Sequence, residues 1–146
     1  MNVEQVRAQL AFTFVQTLAR QDAGTRSAFL NLARSLPVML QTNGLLAAWA
    51  HLLAKGAKKP EYREMARALL EHLRGRRLAP ATGTARDALT GWWAQPASGA
   101  TGRALRQTTA EAIAYSVWLK RAAEALLETG DSGAGGASAG DATETP

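Results

Sequence analysis

Apolar residues recur along this chain at spacings of three and four, and no stretch sustains the two-residue alternation of a half-buried strand. Val3, Val6, Leu10, Phe14 and Leu18 share one face of a helix expected from about Val3 to Arg20. Gln21 to Thr25, with Gly24, breaks it. A second helix is expected over Arg26 to Ser35. Pro37 then fits the first turn of another short helix, where its missing N–H is not needed. Thr42, Asn43 and Gly44 interrupt again, with Asn43 either capping the next helix, Leu45 to Lys55, or ending the one before. Gly56 to Pro60 is a basic turn. The helix after it, Glu61 to about Arg74, opens with Glu61 and Glu64 where the helix dipole favours anions. A loop from Gly75 to Gly83 leads to a shorter helix, Thr84 to Gln95. Pro96 to Gly102 is a flexible connection, and Thr101 is placed to cap a long final helix, about Gly102 to Glu128. The expected fold is all-α, one compact domain of about six helices over residues 1–128.

Beyond Glu128 the pattern stops. Thr129 to Pro146 contains only Gly, Ala, Ser, Thr, Asp, Glu and one Pro, too little apolar surface to offset the cost of ordering the chain. The expectation is a flexible acidic tail with a solubilising role. Setting it aside sharpens the charge balance. The whole chain has 17 Lys+Arg and 12 Asp+Glu; Asp131, Asp141 and Glu144 lie in the tail, which leaves residues 1–128 with 17 bases against 9 acids, or +8. Thirteen of those bases are Arg, whose planar fork suits phosphate oxygens.

Composition also removes function classes. With no cysteine there is no disulfide, no thiol nucleophile and no Cys-ligated zinc or iron–sulfur cluster. The longest apolar stretch, Leu45 to Leu53, is interrupted by His51 and falls far short of the roughly 20 residues of a membrane span. Glu4, Gln5 and Arg7 leave no apolar signal-peptide core after Met1. A cytoplasmic protein without membrane association is expected.

Candidate chemistry is sparse. His51 lies in an otherwise apolar helical run, a position at the edge of a core. No His-Glu-x-x-His pair, acidic cluster at metal spacing or glycine-rich phosphate loop occurs, so no metal and no cofactor are expected. Glu61, Glu64 and Glu71 share a helix with Arg63, Arg67 and Arg74 in the pattern of a solvated, ion-paired face. Arg67 and His72 are spaced as in the signature of the all-helical HEPN ribonucleases. Five residues nevertheless separate side chains by about 140° around a continuous helix, and Ala68 stands where that family has a polar residue.

The basic residues say more. On the last helix Arg103, Arg106, Lys120 and Arg121 fall within about 100° of one another. Arg103 and Arg106 in its first turns and Glu124 and Glu128 in its last both oppose the helix dipole, an arrangement that does not serve the helix itself. Two readings stay open: a solvated face with Lys120–Glu124 pairing, or a phosphate-binding stripe to which Arg34, Lys55, Lys58 and Lys59 contribute. Trp49, Trp92, Trp93 and Trp118 are expected in the core or at subunit contacts. Adjacent Trp92 and Trp93 do not both face one core, which leaves one of them for a partner.

The segments LPVMLQTNGLLAAWAHLLAKG (Leu36 to Gly56), LLEHL (Leu69 to Leu73) and RQTTAEAIAYSVWLKRAAEALL (Arg106 to Leu127) together resemble the small subunit of the type III-B CRISPR effector, the Cmr complex. Its most specific pieces are Leu-Pro…Asn-Gly-Leu before an apolar helix ending in Lys, and Thr…Glu-Ala…Trp-Leu-Lys-Arg in the last helix. The resemblance implies a helical protein without enzymatic activity, several copies of which stack along the backbone subunits that hold the guide RNA. It implies contact with the large subunit and a role in lining the groove where target RNA pairs with the guide. Carried over, Asn43 and Gly44 match a helix junction. Arg106, Lys120 and Arg121 match basic positions suited to nucleic acid, and Thr109, Glu111 and Trp118 match positions that pack or hydrogen-bond. A sequence-tolerant helical nucleic-acid-binding protein acting alone is the alternative.

Overall fold

The computed structural model describes residues 2–94 and 99–128, with the side chains of residues 99–101 excepted. The chain begins with a capping box: Gln5 N–H donates to the Asn2 side chain at 2.8 Å while Asn2 N–H donates to Gln5 at 3.0 Å. Helix α1 then runs Val3–Leu18 and buries Ala11, Phe14, Val15 and Leu18. Asp22 caps α2 by accepting from Thr25 N–H at 2.7 Å.

Helix α2 spans Ala23–Gly56 and departs from expectation at Pro37, which lies inside it rather than opening a new helix. An interior proline costs about 3 kcal/mol in an isolated helix. Here Phe29, Leu30, Leu32, Ala33, Leu36 and Leu40 are all buried around it, and that shared burial holds both flanks on one axis. The real break comes at Gly44, with φ 84° and ψ 168°, a backbone region open almost only to glycine. The segment after it redirects Leu45, Ala48, Trp49 and Leu52 into the core.

Helix α3, Pro60–Gly75, starts with proline in its first turn and buries Met65, Ala66, Ala68, Leu69, Leu70, His72 and Leu73. Arg74 then staples the following loop, its Nε donating to Pro80 O at 2.7 Å and its Nη2 to Gly83 O. Thr84 and Asp87 form a second capping box at the start of α4, Ala85–Trp93. Helix α5 runs Gly99–Ala123 and passes into a π-helical turn, Glu124–Glu128, that buries Leu127. Thr101 therefore sits inside α5 rather than capping it, because the helical backbone already begins at Gly99. The expected tail, 129–146, and residues 95–98 of the expected connection lie outside the described residues.

All the described elements are helical, the expected class, and the five helices, with α2 bent at Gly44 into two segments, agree with the expected count of about six. Helix α2 lies at the centre, touching α3, α4, α5 and the π-turn, and α1 closes the bundle against α5 and α3. Trp49 anchors the middle: its Nε1 donates to Ala85 O at 2.8 Å and its ring meets Trp92 edge-on at 5.0 Å. Trp92 is 4 % exposed and Trp93 is 65 % exposed, which answers which of the adjacent pair faces inward.

Candidate nucleic-acid interface

The charged residues divide by burial. Inside, Arg7 of α1 grips Glu111 of α5 with two hydrogen bonds, Nε to Oε2 at 2.9 Å and Nη2 to Oε1 at 2.8 Å. The ring of His72 on α3 reaches the same carboxylate at 2.7 Å through Nε2 and lies flat on Tyr115, centroids 3.9 Å apart. Hydrogen bonding from Arg7 holds the Glu111 carboxyl down at about 2, despite its burial. Burial pushes the His72 imidazole below its ordinary value, against the opposing pull of Glu111. Neutral His72 thus donates through Nε2, leaving its Nδ1 buried without a partner. The Tyr115 hydroxyl is pushed up by burial.

Outside, Arg103, Arg106 and Arg121 are exposed along α5 and Lys120 is half-buried beside them. For Lys120 and Arg121, at the C-terminal end of that row, the neighbouring acids are engaged by Arg34. It was expected to join the basic stripe, yet its Nε donates to Glu124 at 3.2 Å and its Nη2 lies 2.8 Å from Glu128. Both carboxylates that oppose the dipole of the final helix are therefore met from α2. The Lys120–Glu124 pair of the solvated-face reading does not form. Among the described residues, Arg103, Arg106, Lys120 and Arg121 make no ion pair.

Lys55, Lys58 and Lys59 are exposed at the turn between α2 and α3, on a separate element from the α5 stripe. Lys59 lies 6.0 Å from the centre of the Tyr62 ring, and His51 meets that ring edge-on at 5.6 Å. His51 is exposed, not at the core edge, because the buried side of this part of α2 is taken by Ala48, Trp49 and Leu52. Arg67 and His72 are engaged separately. Arg67 bonds Glu64 at 2.6 Å and Glu71 at 3.0 Å and covers the Phe14 ring, while His72 is 2 % exposed and bound to Glu111. Among the described residues no three His, Asp or Glu side chains converge as a metal site.

Folding adds residues that the sequence reading left unassigned. Arg76, in the loop after α3, shares a cleft of about 370 Å³ with Arg7, Leu78, Gln107, Ala110 and Glu111. This brings a further cation to α5; the adjacent Arg76 and Arg77 were the only signal in the sequence. Arg106 stands at the rim of an apolar groove of about 500 Å³ between the Gly44 bend and Leu105, Thr109 and Ile113. Trp118 Nε1 donates to Glu4 Oε1, and the Arg121 guanidinium lies over the Trp118 ring at 4.9 Å. Thr109, Glu111 and Trp118 are thus each hydrogen-bonded, Thr109 to Leu105 O at 2.9 Å.

No helix among the described residues is long and apolar enough to cross a membrane. No curated relative and no solved structure matches the chain. The family described as CRISPR-associated protein (Cas_Cmr5) matches over residues 3–126. The chain therefore belongs to that family, the small subunit of type III-B CRISPR effectors.

Proposed function

We propose that this chain is a non-catalytic, cytoplasmic subunit whose copies stack along the backbone subunits of the effector, reach the large subunit, and hold the duplex of guide and target RNA by its phosphates. Residues 1–128 form the docking unit in this reading, with 129–146 outside it. Family membership supports the assignment to the complex. The observation that carries RNA contact is that Arg103, Arg106, Lys120 and Arg121 make no ion pair among the described residues; beside Lys120 and Arg121, the nearby Glu124 is taken by Arg34. Cations left in this state release condensed counter-ions from a phosphate backbone when they bind it, giving affinity without sequence readout. Lys55, Lys58 and Lys59 supply a second cationic site in the assembly.

One domain offers few phosphate contacts, so affinity rises with the number of copies engaged. The test is Arg106→Glu combined with Lys120→Glu in the assembled complex, followed by target RNA capture over a salt series. Capture weakens and its salt dependence flattens, with the helical signal of the subunit intact. Unchanged capture overturns the assignment of α5 to RNA.

A further inference from the structure

We propose that Arg121, lying over Trp118, is a stacking platform for an unpaired nucleobase, which gives it a role beyond phosphate neutralisation. The proposal rests on the RNA-contact reading above and names the part of the ligand that this position takes.

Among the described residues three arginine or lysine side chains lie over aromatic rings, and their surroundings differ. Arg67 over Phe14 is clamped by Glu64 and Glu71, and Lys59 is an ammonium with no plane to offer. Arg121 alone of the three combines a planar group, exposure to solvent and no carboxylate partner among the described residues. Glu124, one turn further on, is the carboxylate best placed to take it, and Arg34 occupies Glu124 instead.

The ring beneath is fixed. Trp118 Nε1 donates to Glu4; the other oxygen of Glu4 accepts from Arg7 at 3.1 Å; Arg7 grips Glu111, and Glu111 binds His72. A hydrogen-bonded chain from α5 through α1 back to α5 and on to α3 therefore orients the indole. The guanidinium carbon lies 4.9 Å from the centre of that indole, and the Arg121 side chain is exposed to solvent. Unpaired bases stack on guanidinium planes as they do on aromatic rings, tolerating any base because each has a π-face. An indole oriented in this way limits the arrangements open to the guanidinium above it, which lowers the entropy lost on binding. Lys120, the next residue, supplies a cation for the phosphate of the same nucleotide.

Arg121→Lys separates the two roles, since it keeps the charge and removes the plane. Binding of the full chain at low salt is compared for two single-stranded RNAs of equal length, one of adenosines and one with the same backbone but abasic riboses. Arg121→Lys weakens binding of the adenosine RNA about tenfold and leaves abasic RNA unchanged. Lys120→Gln serves as the phosphate control and weakens both alike. Equal affinity of Arg121→Lys and the unsubstituted chain for adenosine RNA overturns the platform, as does an equal loss on both RNAs. Failure of the unsubstituted chain to prefer adenosine over abasic RNA also overturns it. None of these results touches the broader assignment of α5 to RNA, which stands or falls on RNA capture by the complex carrying Arg106→Glu and Lys120→Glu.

Discussion

Two arginines, Arg7 and Arg121, show how the same side chain is put to opposite uses within about one helix diameter of α5. Arg7 is mostly buried and spends three hydrogen bonds on two carboxylates; Arg121 is exposed and lies over a ring, with no carboxylate partner among the described residues. A buried charge is tolerated only when paired and hydrogen-bonded, so the surroundings of Arg7 are complete and offer a ligand little. An exposed charge carries no such requirement, and its lack of a partner is free to persist. The difference lies in where the acids are. Glu111 turns inward to Arg7 and His72, and Glu124 and Glu128 turn to Arg34, so the basic face of α5 keeps its charge.

The largest expected effect is on the buried side. Glu111→Ala strands Arg7 and His72 in the interior and lowers unfolding stability by about 3 kcal/mol, read from the midpoint of urea denaturation. A midpoint equal to that of the unsubstituted protein would place the trio among dispensable contacts and dissolve the contrast with Arg121.

Acid titration of stability tests the same side more gently. The folded Glu111 carboxyl is held at about 2 against an ordinary 4.5, so the stability it contributes is complete above pH 4.5 and is lost as pH falls toward 2. The folded His72 imidazole lies below 6.5, so below that pH the unfolded chain binds the proton more readily and stability declines. Urea midpoints across pH therefore fall in two stages, and Glu111→Ala abolishes the lower one.

Smaller effects belong to the surface. Arg34→Ala removes two exposed pairs and lowers the urea midpoint only slightly, less so at high salt. It also frees Glu124 to pair with Lys120 one turn away, so RNA capture falls although no residue of the α5 stripe has changed. Arg103→Ala leaves stability within about 0.5 kcal/mol, by thermal or urea unfolding, while weakening RNA binding. A surface substitution there that destabilised the fold would mean the stripe is structural after all.

How much of this was legible can be judged residue by residue. The starts at Val3 and near Thr84 were read closely, whereas α2 begins at Ala23, inside the expected break, because Asp22 caps it by accepting from Thr25 N–H. Gly44 marks a break because its backbone conformation is closed to other residues. Pro37 was misleading: the local rule says that proline opens a helix, but burial of both flanks in a common core keeps the axis continuous. The pairing of Arg34 was hidden from the sequence for a related reason. Its partners lie 90 positions away along the chain, and a stripe drawn on one helix takes no account of acids on another. His51, expected at the core edge, is exposed because the break at Gly44 sets the orientation of the segment that carries it.

Periodicity, capping residues and the sign of the charge act over a few residues, so the sequence by itself determined the all-helical class, most helix limits and a basic character outside the last eighteen residues. Which of Trp92 and Trp93 faces inward, which acids disarm which bases, and which cations remain without partners were decided only when distant segments packed. A charge's availability depends on its neighbours in space, and those are set by the fold.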